Sequence, residues 1–222
     1  DVVDGVGRLR RSANLDDARR RLILTARDTG PIRACRWLGS ELVCCGFRRI
    51  YPVVGSPVAL SYGAESLELS RAPAITAYVN LETALSHLSA FLRRNSGRFF
   101  RMGVGELSDA LALDPILDFN RVLIPFFASR RNAILELTTR VHEIDHLLGL
   151  KHRNRTVITW PLNTAALIAS EERGSSTLEQ RFEAARRAAA AGYGVGFRLD
   201  PIIVRGTAEE TVEEYLPLVD RL

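Results

Sequence analysis

The residues best placed to do chemistry lie in the middle of the chain. Arg98-Phe99-Phe100-Arg101-Met102-Gly103-Val104-Gly105-Glu106-Leu107-Ser108-Asp109 reads as a strand that stops at a Gly-x-Gly-Glu turn and enters a helix through Ser-Asp. Parallel α/β folds bind ligands at the carboxyl ends of their strands. Gly103 and Gly105 would let a ligand approach the backbone. Glu106 would set a carboxylate at the strand tip, able to hold an ammonium group. The competing reading is a tight turn, since Ser108 and Asp109 both suit capping.

A second segment, His142 to His152, spells H-E-x-x-H-x-x-G-x-x-H. On a short helix over 141–148, His142 and His146 would share a face. Gly149 would turn the chain so that His152 supplies a third zinc ligand, and Glu143 would be the general base of a zinc-dependent hydrolase. Against this, such enzymes need a methionine turn after the third histidine, and the only methionine, Met102, lies before it. The competing reading is a polar helix start on a ligand face.

These residues must be held by regular elements, and the pattern supplies them. A strand at 74–79 leads through Asn80, as a cap, into a helix over 81–94 with apolar residues at Leu81, Ala84, Leu85, Leu88 and Leu92. Strand 98–104 leads to a helix around 115–128. Strand 133–138 precedes the 141–148 helix, and strand 156–162 ends at Asn163. The capping pattern Ser176-Thr177-Leu178-Glu179-Gln180 opens an Ala-rich helix at 177–191, which Gly192 closes. Strand 194–199 ends at Asp200-Pro201, before a last helix at 208–221. Earlier, Leu42–Cys45 and Ile50–Val54 are β-like, residues 55–73 form a loop, and Leu15–Leu22 reads as an amphipathic helix or an arm. Serial β/α units predict a single α/β domain with a parallel sheet, open or curled as a partial (β/α) TIM-type barrel. The division expected is an Arg-rich N-terminal segment, 1–34, and the barrel, 35–222. A last helix with no strand after it reads as an incomplete barrel or a fragment.

Composition sets bounds. The chain has 222 residues, 46% hydrophobic and 25% charged, enough for a core. Net charge is +4, carried by arginine, with Lys151 the only lysine. This mild basic balance permits nucleic acid binding. There is no apolar run of transmembrane length and no signal-peptide pattern at the start. Three cysteines, Cys35, Cys44 and Cys45, lack disulfide-framework spacing, so a reducing, cytoplasmic setting is expected. Trp160 and Phe197 read as core. Arg198 reads as a phosphate contact or a solvated charge, Asp200 as a ligand-orienting acid or a strand end, and Arg19–Arg21 and Arg186–Arg187 as solvated faces.

The stretches Val79-Asn80-Leu81-Glu82, Gly105-Glu106-Leu107-Ser108-Asp109, Leu113-Asp114, Asp145-His146-Leu147-Leu148, Lys151-His152, Asn163, Glu183-Ala184-Ala185-Arg186, Ala191-Gly192-Tyr193 and Asp200-Pro201-Ile202-Ile203 occur in the order found in one family. The chain resembles the spore photoproduct lyases and their radical S-adenosylmethionine relatives from about residue 50 to 215. The resemblance implies a partial (β/α) barrel, a [4Fe-4S] cluster, S-adenosylmethionine, and a founding activity that splits a thymine dimer in DNA by radical chemistry. It carries cofactor-facing roles onto Tyr62, Gly105, Glu106, Ser108, Arg140 and Asn163. It also puts the zinc signature in doubt, because His142, Asp145, His146, Lys151 and His152 each match residues of the family segment.

The departures are chemical. The family's C-x3-C-x2-C cluster loop falls on Ser56, Leu60 and Gly63, so all three thiolates are missing. Thiolate is the ligand such clusters need; a serine replaces one at best, and leucine and glycine cannot ligate. A cluster moved to Cys35, Cys44 and Cys45 would have no known spacing, and adjacent residues on a strand face opposite ways. Glu106 stands where founding members place the cysteine that returns a hydrogen atom, while many relatives carry Gly-Glu. Pro161 replaces a serine expected near the cofactor carboxylate. The expected function is therefore a spore photoproduct lyase-like protein of the DNA-repair lineage, with DNA or nucleotide as partner, without a working cluster and with catalysis lost. The alternatives are a non-enzymatic module binding nucleic acid or protein, and the zinc hydrolase.

Overall fold

The computed structural model describes residues 19–27, 29–34, 46–62 and 74–222. Cys35, Cys44, Cys45 and Gly63, and the expected strand at 42–45, lie outside the described residues. Six strands form the main sheet: β2 (Ile32–Ala34), β3 (Arg48–Ile50), β7 (Phe100–Val104), β8 (Ala133–Thr138), β9 (Thr156–Pro161) and β11 (Gly194–Arg198). Across the sheet they lie in the order β11-β9-β8-β7-β3-β2. All neighbours run parallel except β2, which joins β3 antiparallel at the edge. A smaller sheet has β1 (Leu22–Thr25) parallel to β6 (Ile75–Tyr78), with β4 (Val53–Val54) antiparallel. The Arg-rich segment thus contributes β1 to the smaller sheet and β2 to the main one. The main sheet has two free ends, β11 and β2, so it forms no closed barrel among the described residues.

Strand alternation divides the main sheet into two faces. Phe100, Met102, Val104, Ala133, Leu135, Leu137, Ile158 and Trp160 join one buried cluster with residues of the flanking helices. These helices are α1 (Leu81–Arg94), α3 (Asn120–Ala128), α4 (Ala165–Glu171), α5 (Leu178–Ala190) and α6 (Ala208–Val219). Trp160 is buried, as expected, and its indole donates to the Val141 carbonyl. Phe197 is half-buried against the cluster. Five strands, 75–78, 100–104, 133–138, 156–161 and 194–198, lie where they are expected. The capping box of α5 forms between Thr177 and Gln180, and Gly192 follows the helix at φ +86°.

Three local expectations fail for identifiable reasons. The helix around 115–128 is two pieces, α2 (Asp114–Leu117) and α3, because Asp118 adopts a left-handed conformation at φ 52° and ends the first. Asn80 makes no side-chain cap on α1; its side chain instead bonds the backbone of Arg27, beyond β1. Residues 141–148 are not an α-helix. Leu147, Leu148 and Leu150 donate to the carbonyls three residues back, and Val141, Ile144 and Leu147 are the buried positions. That period of three belongs to successive tight turns.

Candidate functional site at the strand tips

Of the six residues expected to face a cofactor, the structure gathers three. Tyr62, Arg140 and Asn163 converge on Glu172. The Tyr62 hydroxyl donates to Glu172, and the Asn163 amide lies 3.4 Å from the same oxygen. Arg140 comes within 3.9 Å of the other carboxylate oxygen. Arg181, fully buried, donates to that oxygen, to the Pro161 carbonyl at 2.7 Å and to the Ser176 carbonyl at 3.0 Å. Asn163 has both ends occupied, donating to Tyr62 Oη at 3.0 Å and accepting from Tyr215 at 2.5 Å. Burial pushes the Glu172 carboxyl up, but Arg181, the Tyr62 hydroxyl and Arg140 together outweigh it and hold the group below its ordinary value. Burial first, then Glu172, pushes the Tyr62 phenol well up.

Neither Glu172 nor Arg181 stands out in the sequence as a site residue. A faint signal existed. Leu178, Phe182, Ala185 and Ala188 mark the buried face of α5, and Arg181 falls on it.

Asp109 anchors the neighbouring tip. Its carboxylate accepts from the backbone of Leu111, Ala112 and Arg140 and from the Thr139 hydroxyl. It therefore closes a turn rather than opening a helix, and Ser108 is buried beside it. The two glycines make room for protein. A Cβ on Gly103 would lie 2.0 Å from the Phe47 ring, and one on Gly105, at φ +112°, 2.2 Å from the Thr138 carbonyl. Glu106 pairs with Arg49 at 3.2 Å. Burial raises its carboxyl, with Arg49 acting in the opposite sense.

The second face of the main sheet is polar. In-register partners place Arg33, Arg49, Gly103, Glu136 and Val157 in one row, with Arg101 and Arg198 on alternate positions of the same face. Glu136 pairs with both Arg101, at 2.7 Å, and Arg198, and their guanidinium groups lie over the Phe47 ring. Thr159 donates to Glu136 at 3.1 Å. Arg198 is therefore neither simply solvated nor unpaired. Of the four arginines on this face, Arg49 pairs with Glu106, and Arg101 and Arg198 pair with Glu136.

The histidines of the zinc signature have separate partners. His142 Nδ1 meets Ser176 at 2.7 Å, His146 Nε2 meets Asp114 at 2.9 Å, and His152 Nε2 lies 3.1 Å from the Ala191 carbonyl. His152 also stacks on Tyr193. Among the described residues no three His, Cys, Asp or Glu side chains gather as a metal site. The cluster-loop positions are similarly committed. Ser56 is buried and accepts from the Val58 amide at 3.0 Å, and Leu60 lies in β5 (Ala59–Leu60), paired with Glu172 of β10 (Glu172–Arg173). A hydroxyl and a hydrocarbon chain do not fit an iron–sulfur cluster. Arg140 differs: its buried Nε has no hydrogen-bond partner, which suits a carboxylate or phosphate ligand.

An α/β protein with a mostly parallel sheet and polar groups gathered at its strand tips is the class these features define. The spore photoproduct lyase family model matches residues 59–222, and the chain belongs to that family. The spore photoproduct lyase of Bacillus subtilis (strain 168) is 32% identical over 138 residues, covering 62% of this chain and 40% of that protein. The spore photoproduct lyase of Geobacillus sp. (strain Y412MC61) is 29% identical over 134 residues, 60% of this chain and 39% of that protein. The solved spore photoproduct lyase complexed with dinucleoside spore photoproduct superposes with a TM-score of 0.84 at 23% identity, over 99% of this chain and 62% of that one. A double mutant with bound AdoMet and dinucleoside spore photoproduct gives 0.83 at 22%, over the same shares of each chain. The chain thus spans about two fifths of these curated relatives and about three fifths of the solved chains.

Proposed function

We propose that this chain binds DNA or a nucleotide across the polar face of its main sheet, as a member of the photoproduct lyase lineage that works without an iron–sulfur cluster. The observation that carries the reading is the arginine excess on that face: Arg33, Arg49, Arg101 and Arg198 against Glu106 and Glu136. Arginine suits phosphate because its planar fork donates two parallel hydrogen bonds. Sheet curvature like that of a partial barrel, over residues 35–222, would turn this face inward around the ligand. A solved relative's complex with dinucleoside spore photoproduct supports a nucleotide as the ligand class.

S-adenosylmethionine is the second ligand expected from the family. Arg140 would hold its carboxylate. When bound beside a reduced cluster, that cofactor supplies a carbon radical; the residues at Ser56 and Leu60 do not fit the cluster, so no radical step is assigned to this chain. Its setting is taken to be cytoplasmic. In the described residues, no helix is long and apolar enough to cross a membrane.

The test is fluorescence anisotropy with a short single-stranded DNA at increasing salt. Phosphate-led binding weakens as counterions return, with a slope set by the number of phosphates engaged. No binding at low salt, or binding indifferent to salt, would refute the reading.

A further inference from the structure

We propose that the segment from Gly55 to Tyr62, which carries the first two of the family's three cluster positions, Ser56 and Leu60, is held in place by a protein clasp centred on Glu172, and that its order does not depend on iron. This deepens the cluster-free reading above and rests on it.

The segment 55–62 is fastened along its length. At its start, the Gly55 amide donates to the Leu107 carbonyl at 2.7 Å, on the turn beyond β7. A Cβ on Gly55, at φ +91°, would lie 3.1 Å from the backbone of Ile75, so the loop enters packed against the smaller sheet. In its middle, Ser56 turns its hydroxyl back to the Val58 amide, and Val58 joins the main buried cluster. At its end, Ala59 and Leu60 pair antiparallel with Arg173 and Glu172. The Ser61 amide donates to the Glu171 carbonyl at 3.1 Å, and the Ser61 hydroxyl to the Glu171 carboxylate. Tyr62 then donates to Glu172.

Glu172 is what makes this a clasp. It is 4% exposed and sits between a loop hydroxyl and the guanidinium of a fully buried helix residue, Arg181. Arg181 spans onward to the Pro161 carbonyl of β9 and the Ser176 carbonyl before α5. One carboxylate therefore joins the loop, β9 and α5. A buried ion pair holds geometry only when its remaining donors are satisfied, and here the Ser175 hydroxyl accepts another Arg181 hydrogen at 2.9 Å. The same carboxylate faces Arg140 at 3.9 Å, so the clasp also sets where that cation sits at the strand tip.

The experiment joins metal loading to hydrogen exchange on the whole chain. Wild-type protein is reconstituted anaerobically with iron and sulfide, then assayed for bound iron, labile sulfide and thermal midpoint. Substoichiometric iron and an unchanged midpoint are expected. Stoichiometric iron and sulfide with a raised midpoint would overturn both the cluster-free reading and the clasp. Tyr62→Phe keeps the ring and removes the hydroxyl. Amide exchange over 55–62 should then rise about tenfold or more, from the loss of the charge-assisted hydrogen bond to Glu172 and of the one accepted from Asn163, with β8 and β9 unchanged. If iron is absent and exchange over 55–62 is unmoved by Tyr62→Phe, the clasp is wrong and the cluster-free reading stands.

Discussion

Two Arg–Glu groups, one around Glu172 and one around Glu136, have different fates. Around Glu172 the charges are sealed: the Arg181 and Glu172 side chains are 0% and 1% exposed. Around Glu136 they stay within reach, with Arg101 at 47% and Arg198 at 26%. The same residue types therefore serve two purposes. A charge pair whose every guanidinium nitrogen finds a partner inside the protein is architecture. A set with more arginines than carboxylates, partly open to solvent, leaves positive charge at the surface.

The largest effect should come from the sealed side. Arg181→Met leaves Glu172 buried without its main partner, which costs about 3–5 kcal/mol; urea denaturation should read that loss. Next is Gly105→Ala. At φ +112°, with a Cβ 2.2 Å from the Thr138 carbonyl, it should cost about 1–3 kcal/mol of backbone strain or more.

A smaller effect lies in the acid limb of stability. Glu172 is held below its ordinary value when folded, so its contribution is full above the unfolded carboxyl value near 4.5 and is lost as pH falls through the lower folded one. Glu172→Gln should therefore be less stable at neutral pH and show a flatter loss on acidification. An equally steep acid limb in that variant would place the titrating group elsewhere. Smallest is His146→Ala, which removes one hydrogen bond to Asp114 and should cost about 1 kcal/mol. A stability gain on adding zinc, present in wild type and absent in this variant, would revive the hydrolase reading.

The split between the two groups also shows what the chain's pattern could reveal. Ala133–Thr138 and Leu81–Arg94 are legible because burial imposes one clear period on each. The stretch from Val141 to Leu150 is not, because His142 and His146 at i, i+4 suggest a helix while the apolar residues repeat every three. Tyr62, Arg140 and Asn163 are legible through family resemblance. Their common partner is not: Glu172 sits among Glu171, Arg173 and other charges that look solvated, and only long-range packing removes it from water. The polar sheet face is half legible. Arg101 and Glu136 interrupt apolar strands at alternate positions, but only strand order puts them side by side.

The central claim is that the open arginines, and not the basic surface in general, meet a phosphate-bearing ligand. Arg101→Ala with Arg198→Ala should be compared with Arg186→Ala with Arg187→Ala, on the outer side of α5, in anisotropy titrations against one short single-stranded DNA across a salt series. The account predicts that the sheet-face pair weakens binding and lowers the slope of log affinity against log salt by about 0.7 for each phosphate no longer neutralised, while the helix pair leaves both near wild type. Equal weakening by the two pairs, or none by the sheet-face pair, would contradict it.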